Sequence, residues 1–254
     1  MLILFPPSEG KTAQNTDRTV DLADLSFPEL TQSREELMQQ LQIVSDSEGA
    51  LAQLKVGASL TQEVERNTRL WREPAAQASE VYSGVLFEAF NFSSLDEQAQ
   101  ERAINSVVII SALWGAVRFS DVIPAYRLSM GVKLGEIGDL AKYWKGELPT
   151  VLNRHYDGEL VIDCRSAAYV KAYPTPVERT LSVRVEKVLE GNERKVVSHM
   201  AKHYRGELGR YLVQKGLTEI NVLDELINEL SKDWEIEFSP ATAKSAGILT
   251  LVVR

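Results

Sequence analysis

Three residues near the N-terminus, Gly10-Lys11-Thr12 in MLILFPPSEGKT, end the way a phosphate-binding loop ends, and they follow a short apolar run. The full pattern G-x-x-x-x-G-K-[ST] requires a glycine where this chain has Phe5. Pro6 and Pro7 each lack an amide donor and fix φ, so the usual cradle cannot form. What remains is a stiff turn presenting Ser8, Glu9, Lys11 and Thr12. Lys11 is a cation suited to an anionic group, and Glu9 is a candidate acid or base beside it. The plainer reading is a solvated exit from a strand.

A second set follows the apolar run at 106–113. The stretch WGAVRFSDVIPAYRLSMG, residues 114–131, carries Arg118, Asp121, Tyr126 and Arg127 where open sheets tend to place their sites, just beyond a strand end. The planar fork of arginine suits phosphate or carboxylate. Asp121 could hold one guanidinium or serve as a second acid or base; equally, these charges could only tie down a long loop. A third set lies on the helical pattern SHMAKHYRGELGRYLVQKG. Met200, Tyr204, Leu208 and Tyr211 share one face, with His199, Lys202 and Arg205 opposite and Arg210 toward them. Gly206 and Gly209 cost that helix about 1 kcal/mol each against alanine, so close packing or binding is expected there. Gly216 is a natural stop.

Residues 45–69 read as two short helices joined by the tight turn LKVGA, with Ser45 and Glu48 capping the first and Ser59 and Gln62 the second. This pattern resembles a helix-hairpin-helix, which grips a phosphate chain through free amides at a helix start. Lys55, Gly57 and Ser59 are its candidate contacts. Ser59 replaces the module's second glycine and Glu63 and Glu65 follow, so a plain helical hairpin is the competing reading.

Support for catalysis is thin. His199 and His203 stand at i, i+4 without a glutamate base between them, and the expectation is a surface pair and no metal site. Cys164, between Asp163 and Arg165, is either a thiolate favoured by the arginine or a buried inert thiol. Nucleophile-elbow, dinucleotide-binding and paired-cysteine motifs are missing, so neither catalytic residues nor a cofactor are assigned.

These residues need elements to hold them. Strands are expected at 2–5, 106–113, 159–164, 181–189, 234–238 and 247–253, where Val and Ile concentrate. Helices are expected between them, one starting at a Ser33–Glu36 capping box and carrying Leu37, Leu41 and Val44. The mixed order predicts an α+β (mixed α/β) fold over 1–254 as a single compact domain, a central mixed sheet flanked by helices with a helix-hairpin-helix-like element. One cysteine excludes an internal disulfide and suits a reducing cytoplasm. The N-terminal apolar run, unpreceded by basic residues, reads as neither signal peptide nor anchor. No stretch approaches the roughly 18 apolar residues of a membrane span.

Net charge is −8, which argues against nucleic acid until it is divided. Residues 1–110 carry 8 Lys and Arg against 17 Asp and Glu, and residues 211–254 carry 4 against 7. The middle, 111–210, carries 16 against 12. A basic middle third can focus an anion in a cleft despite the total.

With these residues in hand, the chain resembles the YaaA peroxide-stress family. The resemblance rests on MLILFPPSEGKT, on SALWGAVRFSDVIPAYRLSMG, on Tyr143-Trp144, on VIDCRSAAYVKA at 161–172 and on KVVSHMAKHYRGELGRYLV at 195–213. It implies a cytoplasmic mixed α/β domain that limits free iron during peroxide stress and binds double-stranded or distorted DNA through a helix-hairpin-helix and a basic cleft. Lys11, Arg118, Tyr126, Arg127, Lys202, Arg205 and Arg210 match its pattern, while the hairpin at 55–59 matches loosely. The expectation is therefore a non-enzymatic DNA-binding stress protein, without membrane contact and with no oligomeric state assigned. The alternative is an enzyme acting on a nucleotide or other anionic, phosphorylated small molecule, with Glu9, Asp121 or Tyr126 as acid or base. Iron held by His199 and His203 is a third, weaker reading.

Overall fold

Leu2, Ile3, Leu4 and Phe5 are all fully buried, as are Val107, Val108, Ile109 and Ile110. Continuous rather than alternating burial means that both faces are covered, the mark of central strands in a parallel sheet. A computed structural model describes residues 1–197 and 200–254 and bears this out.

The strands are β1 (Leu2–Phe5), β2 (Ala75–Gln77), β3 (Val107–Ser111), β4 (Gly115–Val117), β5 (Val122–Pro124), β6 (Lys133–Leu134), β7 (Gly138–Asp139), β8 (Val161–Asp163), β9 (Thr180–Val188), β10 (Arg194–Val196), β11 (Ile236–Ser239) and β12 (Gly247–Val253). Eight of them form one sheet in the order β11-β12-β9-β8-β1-β3-β4, with β10 also paired to β9. Strands β12, β9, β8, β1 and β3 run parallel, with Ile3 opposite both Val107 and Ile162. Strands β4, β10 and β11 run antiparallel to their neighbours. Two short ribbons complete the set, β2 with β5 and β6 with β7. The six expected strands are present, each within about two residues of its expected ends, a normal scatter for element boundaries.

Sheet order locates the site. From β1 the sheet continues to β3 on one side, and from β8 to β9 on the other. The connections diverge between β1 and β8, which is where open sheets tend to place their sites. Pro6–Lys11 leaves one of these ends and Cys164–Ser166 the other.

Helices flank the sheet. They are α1 (Thr31–Ser45), α2 (Ala50–Gln53), α3 (Thr61–Asn67), α4 (Ala78–Val81), α5 (Val85–Phe90), α6 (Glu97–Ser106), α7 (Leu140–His155), α8 (Ala167–Ala172), α9 (Ala201–Gln214) and α10 (Leu223–Leu230). The expected capping boxes do not form. Pro28 opens a 3-10 turn that runs directly into α1, so the helix has begun before Ser33, which is buried inside it. Ser45 ends α1 rather than capping α2; its hydroxyl accepts from Asn67 of α3 at 3.2 Å. Ser59 sits within a 3-10 turn, Ala58–Leu60, that leads into α3 without a side-chain cap.

The buried stripe of α9 is also rotated from the expected one. Ala201, Gly206, Leu208, Gly209, Leu212 and Val213 face the core, while Met200 is 42% exposed. The glycines decide this, because they are the contact points. A Cβ on Gly206 would collide with the Leu86 carbonyl oxygen of α5, and one on Gly209 would lie 2.5 Å from the Phe5 ring. Gly206→Ala is therefore expected to destabilise the protein by about 1–3 kcal/mol, overpacking outweighing the helix-propensity gain of about 1 kcal/mol. Urea unfolding of the variant checks this, and a stabilised variant would contradict the packing described.

Candidate functional site

The loop after β1 is built rigidly. Thr12 donates its amide to the Val81 carbonyl at 2.9 Å, and Lys11 pairs with Tyr82 in an isolated antiparallel bridge. The Ser8 hydroxyl donates to the Gly10 carbonyl at 2.5 Å and accepts from the Ser83 amide at 3.2 Å. Its neighbours thus hold the turn that Pro6 and Pro7 begin. The Lys11 ammonium turns inward and donates to the carbonyls of Ser8 at 2.8 Å and Glu9 at 3.3 Å. It lies 4.0 Å from the centre of the Tyr126 ring and 5.6 Å from that of Tyr82, a cation–π seat between two aromatics. The residue as a whole is half-buried, so the loop still touches solvent.

Behind the lysine runs a buried hydroxyl chain. Tyr82 and Tyr126 hydroxyls are 3.0 Å apart, and the Tyr126 hydroxyl is 2.7 Å from that of Ser111 at the end of β3. Burial raises both phenols well above their ordinary range. Tyr126 therefore contributes its ring face, its hydroxyl being already engaged. Burial also pushes the Lys11 amine down to about 7; the Arg127 guanidinium acts in the same direction, against Glu9 and Glu63.

Arg127 forms the roof. It donates to the Glu9 carbonyl at 3.0 Å and pairs with the Glu9 and Glu63 carboxylates, each at 3.5 Å. Asn67 of α3 fixes it from behind, accepting the Arg127 amide at 2.9 Å and donating to the Arg127 carbonyl at 2.9 Å. Glu9 lines two clefts. One of about 340 Å³ also involves Arg127, Lys55, Ser129 and Gly131. The other, about 260 Å³, involves Pro6–Gly10, Ser83–Phe87 and Lys202.

The turn between α2 and the 3-10 segment thus forms one wall of the first cleft. Lys55 takes a left-handed conformation, φ +57°, which costs a non-glycine residue roughly 1–2 kcal/mol. Its Nζ donates to the Gly131 carbonyl at 2.7 Å, spanning from hairpin to central loop. The first hydrogen bond of the following turn runs from the Leu60 amide to the Gly57 carbonyl, downstream of the Ala58 and Ser59 amides.

Several expected residues lie elsewhere. The apolar run 106–113 was expected to lead straight into a site loop, but Gly115, at φ +71°, reverses the chain. Trp144 packs where a Cβ on Gly115 would sit. Strand β4 then runs back alongside β3, with Val117 opposite Ile109, and carries Arg118 away from the edge. Arg118 donates to Tyr156 at 3.1 Å and to the Ile104 carbonyl at 3.4 Å. Asp121 is buried and accepts from the Ser26 hydroxyl at 2.7 Å, the Ser26 amide at 3.1 Å and the Arg118 amide at 2.9 Å, so it pins the loop. Arg205 donates to the Val183 carbonyl at 2.7 Å, and Arg210 to the Phe90 and Asn91 carbonyls at 2.8 Å each. Of the expected basic face of α9, Lys202 reaches the site.

His199 lies outside the described residues. His203 pairs with Glu207 at 3.2 Å, and no group of three or more metal-ligating side chains occurs among the described residues. Cys164 is buried and its thiol is pushed up to about 12 by that burial, which makes it the inert alternative. The sequence suggests that Arg165 acts on the thiol; the structure pairs it with Asp163 instead. Asp163 and Arg165 form a buried two-pronged pair, at 2.8 and 2.6 Å, which locks the end of β8. Tyr82 and Ser111 were missed by the sequence reading, since their partner Tyr126 is distant in sequence. The charged pattern D-C-R at a strand end was the only available signal for the first pair.

Together these features describe a mixed α/β protein with a lysine–arginine cluster at the switch point of its sheet. Comparison with known proteins places the sequence more narrowly. The sequence profile described as peroxide stress protein YaaA matches residues 1–234, and the chain belongs to that family. A UPF0246 protein of Streptomyces coelicolor is 41% identical over 218 residues, 85% of this chain and 84% of the relative. One of Corynebacterium glutamicum is 38% identical over the full length of both chains, and one of Corynebacterium efficiens is 42% identical over 84% of each.

The Lys11 burial has a pH signature. The unfolded chain holds this proton up to its ordinary value of 10.5, the folded chain only to about 7. Stability from this group therefore rises with pH between those values, and the full cost of the buried charge is present below 7. Lys11→Met is expected to be more stable than the parent at pH 6, by on the order of 2 kcal/mol, with the difference shrinking by pH 9. Denaturant midpoints at the two pH values measure this.

Proposed function

We propose that this peroxide-stress protein acts in the cytoplasm, where it limits intracellular free iron and binds double-stranded or distorted DNA through phosphate contacts in a basic cleft, without reading sequence. The supporting observation is the shared cleft. The hairpin turn at Leu54–Val56 and the Glu9–Arg127 pair line one cavity, so a phosphate seated there would meet Lys55 and Arg127 together. Lys202 adds a cation on the far side of the Lys11 loop. Cations bound along phosphates are released when lysine and arginine replace them, which makes such binding sensitive to salt.

The acidic residues set the strength of this contact. Glu9 and Glu63 already occupy Arg127, so an incoming phosphate must exchange with carboxylates. Binding of modest affinity and steep salt dependence follows. With two or three phosphates neutralised, log affinity should fall with log salt at a slope of about −1.8 to −2.7, roughly 12- to 40-fold between 50 and 200 mM. Anisotropy titrations with intact and bulged duplexes test this, and binding that ignores salt would refute it. Glu9→Gln frees one partner of Arg127 and should tighten binding by up to about fivefold, the worth of a half-exposed pair. Lys55→Gly relieves the left-handed strain and removes one cation, so binding should weaken while the unfolding midpoint holds or rises.

A second reading has its own support, namely the enclosed lysine with its tyrosine–serine chain, which a backbone clamp does not need. It is an enzyme acting on a nucleotide or other phosphorylated small molecule, with Arg127 and Lys202 as phosphate anchors. Thermal shifts with nucleotides and inorganic phosphate distinguish it; stabilisation by these at concentrations where duplex has no effect would favour it.

A further inference from the structure

The surroundings of the Lys11 amine differ from those of a lysine that merely holds an anion. Among the described residues no carboxylate oxygen lies within ion-pairing distance, because Arg127 takes both Glu9 and Glu63. The nearest polar groups are the carbonyls of Ser8 and Glu9, at 2.8 and 3.3 Å, and the aromatic faces of Tyr126 and Tyr82. The hydroxyls behind those rings are satisfied by one another and by Ser111. The amine is therefore held in one place outside any direct ion pair, with Glu9 and Glu63 acting on it only from a distance. The other group of intrinsic reactivity near this edge, the Cys164 thiol, is buried and silent.

We propose that Lys11 is a covalent nucleophile that forms a Schiff base with an aldehyde carried next to a phosphate. The proposal rests on the phosphate-binding reading of the same clefts. The Nζ lone pair adds to the aldehyde carbon as the C=O π bond opens, giving a carbinolamine. The two protons of the amine leave with the carbonyl oxygen as water, and the C=N bond remains, so that the step needs no oxidant or reductant. With the Lys11 amine at about 7, roughly half of it is uncharged at neutral pH, against about one part in three thousand for an ordinary lysine.

The geometry also points to the substrate class. The Lys11 loop separates the two clefts, with Arg127 and Lys55 on one side and Lys202 on the other, and Glu9 lining both. A phosphate seated on either side would bring a neighbouring aldehyde toward the loop. The open-chain sugar at a base-free site in DNA has this chemistry, and so has a small sugar phosphate in its aldehyde form.

The test is reductive trapping on the full chain. The protein is incubated with sodium cyanoborohydride and, in separate arms, a duplex holding one base-free site, the same duplex intact, and glyceraldehyde 3-phosphate. Intact mass and peptide mapping read the adduct. One adduct is expected, mapped to Lys11, with a yield that rises through pH 7 and falls by more than about tenfold in Lys11→Arg. Trapping in the duplex arm alone assigns nucleic acid as the source, and trapping in the sugar-phosphate arm alone assigns the small molecule. No adduct in either arm, or adducts spread over surface lysines and unchanged in Lys11→Arg, overturns the proposal. Binding of the unaltered protein to the intact duplex is measured in parallel. Salt-dependent binding without trapping leaves the phosphate reading standing and removes only the covalent step; loss of both removes both.

Discussion

Strand β1 is apolar on both faces, and its burial between β8 and β3 fixes where the chain must leave the sheet. Phe5, its last residue, is held by Phe87, Phe90 and Phe119 in edge-to-face contacts with ring centres 5.4–6.4 Å apart. Gly209 lets α9 approach that same ring. Pro6 and Pro7 follow immediately, so the loop inherits the position of the strand with little freedom. The bridge from Lys11 to Tyr82 then ties the far end of the loop, and the lysine is fixed from both sides.

Charge acts on this frame against the protein's overall sign. The chain is acidic, and two of its acids, Glu9 and Glu63, stand within the cluster itself. They neutralise Arg127 and leave Lys11 among aromatic rings and backbone carbonyls. Burial disfavours the charged amine more than Glu9 and Glu63 favour it, with Arg127 adding to the effect of burial, so the amine is pushed down to about 7. Lys55 and Lys202, at the rims of the two clefts, are the long-range cations of the arrangement.

Other arginines serve the fold. Arg34 is fully buried and donates to the carbonyls of Trp114, Ser26 and Ala116 at 3.1, 2.7 and 2.9 Å, holding the β3–β4 turn against α1. Arg118, Arg205 and Arg210 likewise satisfy backbone carbonyls. A guanidinium carries five donors, so it can close several open carbonyls where turns leave the sheet, and a basic residue count is then a poor guide to an anion site.

The strands, the mixed class of the fold and the stiffness of the Pro6–Pro7 turn were legible in the sequence, because apolar runs and prolines act locally. The close packing at Gly206 and Gly209 was legible for the same reason: glycine in a helix needs a cause. The helix starts were misread, since Pro28 opens α1 earlier than the Ser33 pattern suggests. Which cations meet was decided by tertiary structure alone. The reversal at Gly115 takes Arg118 away, while the return of the chain brings Tyr126 and Arg127 over the Lys11 loop from a distant part of the sequence. Local sequence determines how each segment bends; the environment that sets the charge of Lys11 exists only once β1, β3 and α3 have packed around it.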